Sequence, residues 1–404
     1  MKRIVFEGMY PRSHHFRARV GAAPLKPPFE ALRKVVAKGT GISENERVNP
    51  KSKTIAFLKI MKRRVFLKTV GGAASAAALG VPKMFAADQP VEKVAGLERR
   101  VLGRTGSKLS VVGFPGLSLT HCDQDKGTAA LHDALERGVN YFDVAPNYGD
   151  GLAETRMGIG LDGVDRSTYF LACKTHKRGK ADAQRELETS LKRLKTDHFD
   201  LYQLHHLVRP AEVKDVFGDE GAMDVIFKAK EQGKIKNIGF SAHTTKAALQ
   251  ALQTYRFDTV MFPINFVEFY TRNFGKEVLT LANEQGAGVI AIKPLSWGAW
   301  SKGAQKDREW WYRSVEEQKD IELAMRFTLS QKGVVAAIPT SFVELFDRTV
   351  TAAKAFRPLD EAAIEQLQQM AANRDSIFAA EEKQVALNLP PGGPVWPDSP
   401  HERC

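Results

Sequence analysis

Residues 140–148 read NYFDVAPNY. An aromatic and aliphatic run stops at a carboxylate, turns at a proline and closes on a tyrosine. The same grammar recurs as YFLACK over residues 169–174 and as DLYQLHH over residues 200–206. Each is a short apolar run that ends in a polar group: Asp143, Lys174 or His205. Strands buried on both faces read as nearly continuous apolar runs, and such strands belong to parallel sheets covered by helices. In strand–helix barrels the chemistry sits at the carboxyl ends of the strands. The stretch therefore predicts a parallel α/β fold, with Asp143, Tyr148, Lys174 and His205 on one rim.

Working outward, the alternation is regular from about residue 98. RRVLGRTGSKLS (99–110) alternates about a glycine-containing turn and reads as an N-terminal β-hairpin. The candidate strands are VVGF, YFDV, YFLACK, FDLYQLH, IKNIGFS, TVMFPI, GVIAIKPL and VVAAIPT. Amphipathic runs such as AQRELETSLKRLK and DIELAMRFTLSQKG separate them. Eight strand–helix units over about 260 residues match a (β/α)8 TIM barrel in number and length. A doubly wound sheet is the competitor. It would want a glycine-rich turn after the first strand, and GxGxxG is absent. The expected organisation is a barrel over 97–373, ending in a helix at 359–373, with a Pro/Gly-rich tail over 374–404.

The formal charge of +12 is confined to the N-terminus. Residues 1–60 carry 13 Lys/Arg against 4 Asp/Glu, and 61–87 carry 5 against none, which leaves 41 basic and 43 acidic residues beyond. The folded part is nearly neutral and advertises no nucleic-acid partner. MKRRVFLK (61–68), then VGGAASAAALGV and PKMFAAD, has the charged, apolar and small-residue regions of a secretory signal. Arg63 and Arg64 before Phe66–Lys68 resemble a twin-arginine signal, which implies the export machinery for folded proteins as a partner. That places the protein in the periplasm or cell envelope if the signal functions, and in the cytoplasm otherwise. A signal belongs at a chain's start, so residues 1–60 are expected to be untranslated, or else a disordered basic leader. No segment reaches the ~18 apolar residues of a stable membrane span. Cys122, Cys173 and Cys404 form neither a metal signature nor a disulfide framework, so no metal is expected.

With RRVLGRTGSKLSVVGF, NYFDVAPNYGDGLAE, ACK, DLYQLHHL, NIGFSAH and AIKPLSWG in place, residues 97–370 resemble the aldo-keto reductases. The first four stretches also keep the family's order and spacing. The resemblance implies an NAD(P)-dependent oxidoreductase that interconverts a carbonyl and an alcohol, with Asp143, Tyr148, Lys174 and His205 as its catalytic tetrad. The residue types suit that task. A phenol is a sluggish acid near neutrality, and an adjacent ammonium at Lys174 is expected to lower its pKa. Asp143 would fix Lys174, and His205 would steer the substrate oxygen. His206 is read as structural, because strand alternation turns it to the opposite face.

By the same resemblance, Ser241, Asn265, Lys293, Pro294, Leu295, Thr340, Ser341, Phe342 and Arg348 would hold the dinucleotide. The chain departs from the family at Ala242, at Ile292 and Lys293, at Thr340 and at Arg348-Thr349, which leaves NAD open beside the expected NADP. Phe114, Trp297 and Trp300 are the candidate contacts for a small carbonyl or sugar-like substrate. A barrel that binds NAD(P) without turnover, as a redox sensor or interaction subunit, is the alternative.

Overall fold

The computed structural model describes residues 91–390 apart from 302 and 307. The proposed signal and leader therefore lie outside the described residues, as does the end of the Pro/Gly-rich tail. A three-stranded antiparallel sheet comes first: β1 (Lys93–Val94), β2 (Leu97–Val101) and β3 (Lys108–Ser110). Eight parallel strands follow, each hydrogen-bonded to its neighbour in sequence order. They are β4 (Phe114–Pro115), β5 (Tyr141–Asp143), β6 (Phe170–Thr175), β7 (Phe199–Leu207), β8 (Ile235–Ala242), β9 (Thr259–Pro263), β10 (Gly288–Ile292) and β11 (Val334–Ile338).

The ring closes between the expected first strand and the last. Val112 bridges Ala337 in parallel. Gly113 N–H donates to Ala337 O, and Ala337 N–H donates to Val111 O, both at 3.0 Å. The expected strand at 111–114 is thus divided, its first half serving this closure and its second half pairing with β5. The architecture is the (β/α)8 barrel read from the sequence.

Helices pack outside because their apolar faces require it. In the helix Gln124–Glu136, Ala130, Leu131 and Ala134 are buried, while the Asp123 side chain caps the start by accepting from Lys126 N–H. The chain leaves that helix through Gly138 at φ +92°, where an added Cβ would stand 2.2 Å from Val94 O.

The expected hairpin is β2–β3, and it stoppers the amino-terminal end of the barrel. Leu102 and Leu109 join an interior cluster with Tyr141, Phe170, Leu201, Met261 and Ile290. Arg104 N–H donates to Gly286 O at 3.0 Å, and its guanidinium reaches Asp258 at 3.2 Å.

The expected final helix is present at Glu361–Ala371. The stretch read as tail carries a further helix, Ala379–Ala386, that composition did not announce. It is anchored by polar contacts. Ser376 Oγ and Ile377 N–H donate to the buried Glu268 carboxylate at 2.6 and 2.7 Å, and Thr245 N–H donates to Glu382 at 2.6 Å. Among the described residues no helix is long and apolar enough to cross a membrane.

Candidate active site

The carboxyl ends of β5, β6 and β7 bring three of the predicted residues together. Asp143 and Lys174 lie on the interior side, two residues past Tyr141 and Ala172 of the interior cluster. Lys174 Nζ donates to Asp143 Oδ1 at 2.5 Å and to Val144 O at 3.0 Å. Tyr141 donates its hydroxyl to Asp143 Oδ2 at 3.0 Å. A buried ammonium and carboxylate are tolerable only when paired and hydrogen-bonded in this way.

Tyr148 stands on the loop after β5, with its backbone N–H bonded to Ala145 O at 3.1 Å. Its ring centroid lies 5.1 Å from Lys174 Nζ. The His205 ring meets it edge-on, with centroids 5.7 Å apart.

Burial pushes the Asp143 carboxyl above its usual range, against the pull of Lys174. Burial works downward on Lys174, but Asp143 and Tyr148 outweigh it and hold the ammonium above its ordinary value. The Tyr148 phenol is pushed up to about 12 by burial, with Lys174 opposing. The lysine's expected influence is therefore present, yet the net shift is upward, because desolvating a phenolate costs more here than the one ammonium returns. At neutral pH the phenol keeps its proton.

β7 departs from simple alternation. Its register shifts between Leu204 and Leu207, and His206 takes φ +58°. Arg178 clamps this bulge by donating to His205 O at 2.9 Å and His206 O at 3.1 Å, while Glu212 anchors the guanidinium at 2.7 Å. The bulge, rather than simple alternation, sets the direction of the His206 side chain, which packs against other rings. Its ring lies 4.3 Å from that of His243 and stacks on His176 at 6.1 Å.

Asp143, Tyr148 and His205 share one cavity of ≈ 60 Å³ with Ser241, Lys293 and Ser341. Lys174 lies beneath it, fully buried. The other expected cofactor residues do not line the cavity. Asn265 caps the helix Phe266–Arg272 through its side-chain oxygen, leaving its amide nitrogen buried with no hydrogen-bond partner. Thr340 Oγ1 bonds Tyr312 and Ser314 at 3.2 and 3.0 Å. Phe342 stacks on His121 at 4.7 Å. Leu295 is in the main core, and Arg348 donates to Glu316 O at 2.6 Å.

The three expected substrate contacts are elsewhere. Phe114 is core, packed between Phe142 and Phe346. Trp297 donates to Met370 O between the guanidiniums of Arg313 and Arg374. Trp300 donates to Trp310 O at 2.8 Å. It is Trp310, Trp311 and Tyr312, farther along the same loop, that line the cavity, together with His243. Sequence offered a signal for His243, the first ionisable residue past the end of β8, but nothing that ranks tryptophans within one loop.

Among the described residues no group of three or more His, Cys, Asp or Glu is placed to hold a metal. The donor chemistry suits a dinucleotide instead: an orphaned amide at Asn265, hydroxyls at Ser241 and Ser341, and a buried amine at Lys293.

The carboxyl rim of this parallel barrel thus sets a phenol against a buried ammonium–carboxylate pair. The sequence pattern of the Aldo/keto reductase family matches residues 112–372. The chain belongs to that family, and its class of activity is NAD(P)H-dependent carbonyl oxidoreduction. It is 24% identical over 335 residues to the L-galactose dehydrogenase of Arabidopsis thaliana, covering 76% of this chain and 99% of that relative. It is 31% identical over 228 residues to an uncharacterized oxidoreductase of Bacillus subtilis strain 168, covering 50% and 68% of the two chains. The fold matches the holo form of an aldo-keto reductase from Bacillus halodurans with a TM-score of 0.57 at 24% identity, over 71% of this chain and 99% of that one.

Proposed function

We propose that this enzyme interconverts an aldehyde or ketone with its alcohol, with Tyr148 as the general acid and base. The observation that carries the reading is the Lys174–Asp143 pair at 2.5 Å beneath the Tyr148 ring. A nicotinamide cofactor, when bound, supplies the hydride. Tyr148, protonated at neutral pH, delivers its proton to the substrate oxygen. Lys174 stabilises the phenolate left behind, Asp143 keeps Lys174 charged and in place, and His205 orients the carbonyl.

Ser241, Asn265, Lys293, Pro294, Leu295, Thr340, Ser341, Phe342 and Arg348 form the cofactor cradle in this reading. NADP is the expected nucleotide. The twin-arginine-like segment supports export of the folded enzyme to the periplasm or envelope.

Tyr148→Phe tests the mechanism. Carbonyl reduction is expected to fall by about 10²–10⁴-fold while the nucleotide still binds. Unchanged turnover in the variant would remove Tyr148 from the chemistry. The second reading, a nucleotide-binding barrel without turnover, draws on the departures from the family's pattern at Ala242, Ile292, Lys293 and Thr340. Nucleotide binding without reduction of any aldehyde would select it.

A further inference from the structure

After the helix Glu361–Ala371 the chain turns at Asn373, φ +59°, and runs back around the carboxyl rim. Asp375 O accepts from Ala299 N–H at 2.8 Å, on the loop after β10. Ser376 Oγ and Ile377 N–H then donate to Glu268, in the helix after β9. The Phe378 ring stacks on Phe274 at 5.0 Å and meets His243, just past β8, at 5.6 Å. Glu382 accepts from the backbone N–H and the hydroxyl of Thr245 at 2.6 and 3.3 Å. Arg209, on the loop after β7, donates to Leu389 O at 2.7 Å.

Residues 373–389 therefore cross the exits of β10, β9, β8 and β7 in turn. Ser241, Asn265 and Lys293 stand at the exits of β8, β9 and β10. The attachment is light, because only Ile377, Phe378 and Val385 of this segment are buried. Few buried apolar contacts mark a segment that opens locally at low free energy. Ser376 concentrates the hold. Its hydroxyl donates to Glu268 and accepts from Arg272 and from the backbone N–H groups of Phe378 and Ala379.

We propose that residues 373–389 form a strap that opens to admit the dinucleotide and closes behind it, setting its rates of entry and release. The inference rests on the cofactor cradle described above for the position of the nucleotide.

The full chain and two variants, the double Ser376→Ala, Glu382→Ala and the single Phe378→Ala, are mixed with NADPH in stopped flow and then chased with excess NADP+. Tryptic cleavage after Lys383 reports strap opening independently of turnover, and Tm reports global stability. Both variants are expected to be cleaved faster. Both are expected to take up and release NADPH about tenfold faster, with Kd nearly unchanged. Unchanged NADPH rates in variants that are cleaved faster would overturn the strap and leave the cradle standing. Faster release with unchanged uptake would overturn gating in favour of direct contact with the nucleotide. A lower Tm with both rates unchanged would reduce the segment to a structural cover. A chain that binds neither NADPH nor NADH would overturn the cradle, and the strap with it.

Discussion

Lys174 Nζ and Asp143 Oδ1 lie 2.5 Å apart, with neither side chain more than 4% exposed. Each is the other's reason for being charged inside the barrel. Removing one strands the other, at a cost of about 3–5 kcal/mol. Lys174→Met and Asp143→Asn are each expected to lower stability by that order in denaturant unfolding. The double variant should lose clearly less than the sum of the two. Additive losses would show that the pair is not coupled.

Tyr148, with its pKa near 12, remains protonated across the physiological range. For reduction the proton donor is already loaded, so kcat/KM for an aldehyde is expected to stay flat between about pH 6 and 9. For alcohol oxidation the phenolate is required, so that rate should climb with pH over the same interval. A reduction rate falling through neutrality would place the proton donor elsewhere.

Lys293 supplies a stability prediction of definite sign. Its folded pKa, about 7, lies below the ordinary 10.5. Between those values the unfolded chain holds more protons, so stability rises with pH. Lys293→Met should therefore raise Tm most at or below pH 7, by about 2–4 °C for each kcal/mol recovered. The gain should shrink as pH approaches 10.5. Differential scanning calorimetry of both proteins at pH 6.5 and 9.5 checks this, and an equal gain at both values would contradict it.

His176 is held down to about 4 from 6.5 by burial, with Arg178 adding to it. Burial also drives His206 well below 6.5. Both stay neutral in the folded protein while the unfolded chain takes up protons, so stability is full above pH 6.5 and erodes toward 4. His176→Gln should make Tm less steep in that window. An unchanged slope would mean that His176 contributes nothing to acid sensitivity.

The eight strands and the closing helix were legible because burial on both faces leaves unbroken apolar runs, and Asp143, Lys174 and His205 stand at or near the ends of three of them. The bulge in β7 was not legible. Its cause is a clamp by Arg178, distant in sequence, and period-two alternation carries no trace of such a contact. The helix Ala379–Ala386 was hidden for a similar reason, since its anchor, Glu268, is a buried carboxylate on another element. Choosing Trp310 and Trp311 over Trp297 and Trp300 depends on loop path, which composition leaves open. The upward shift of Tyr148 depends on the depth of burial, which residue identity alone does not supply.

The seam between Val112 and Ala337 joins the two extremes of the sheet. During synthesis the segment around Val112 emerges long before its partner exists. Until residues 334–338 arrive, β4 and each newest strand present unpaired edges to the surroundings. Ring closure is thus the most nonlocal step in this chain's assembly and the natural point for folding to stall. A chain interrupted before β11 would be an open, adhesive ribbon of strands rather than a smaller enzyme.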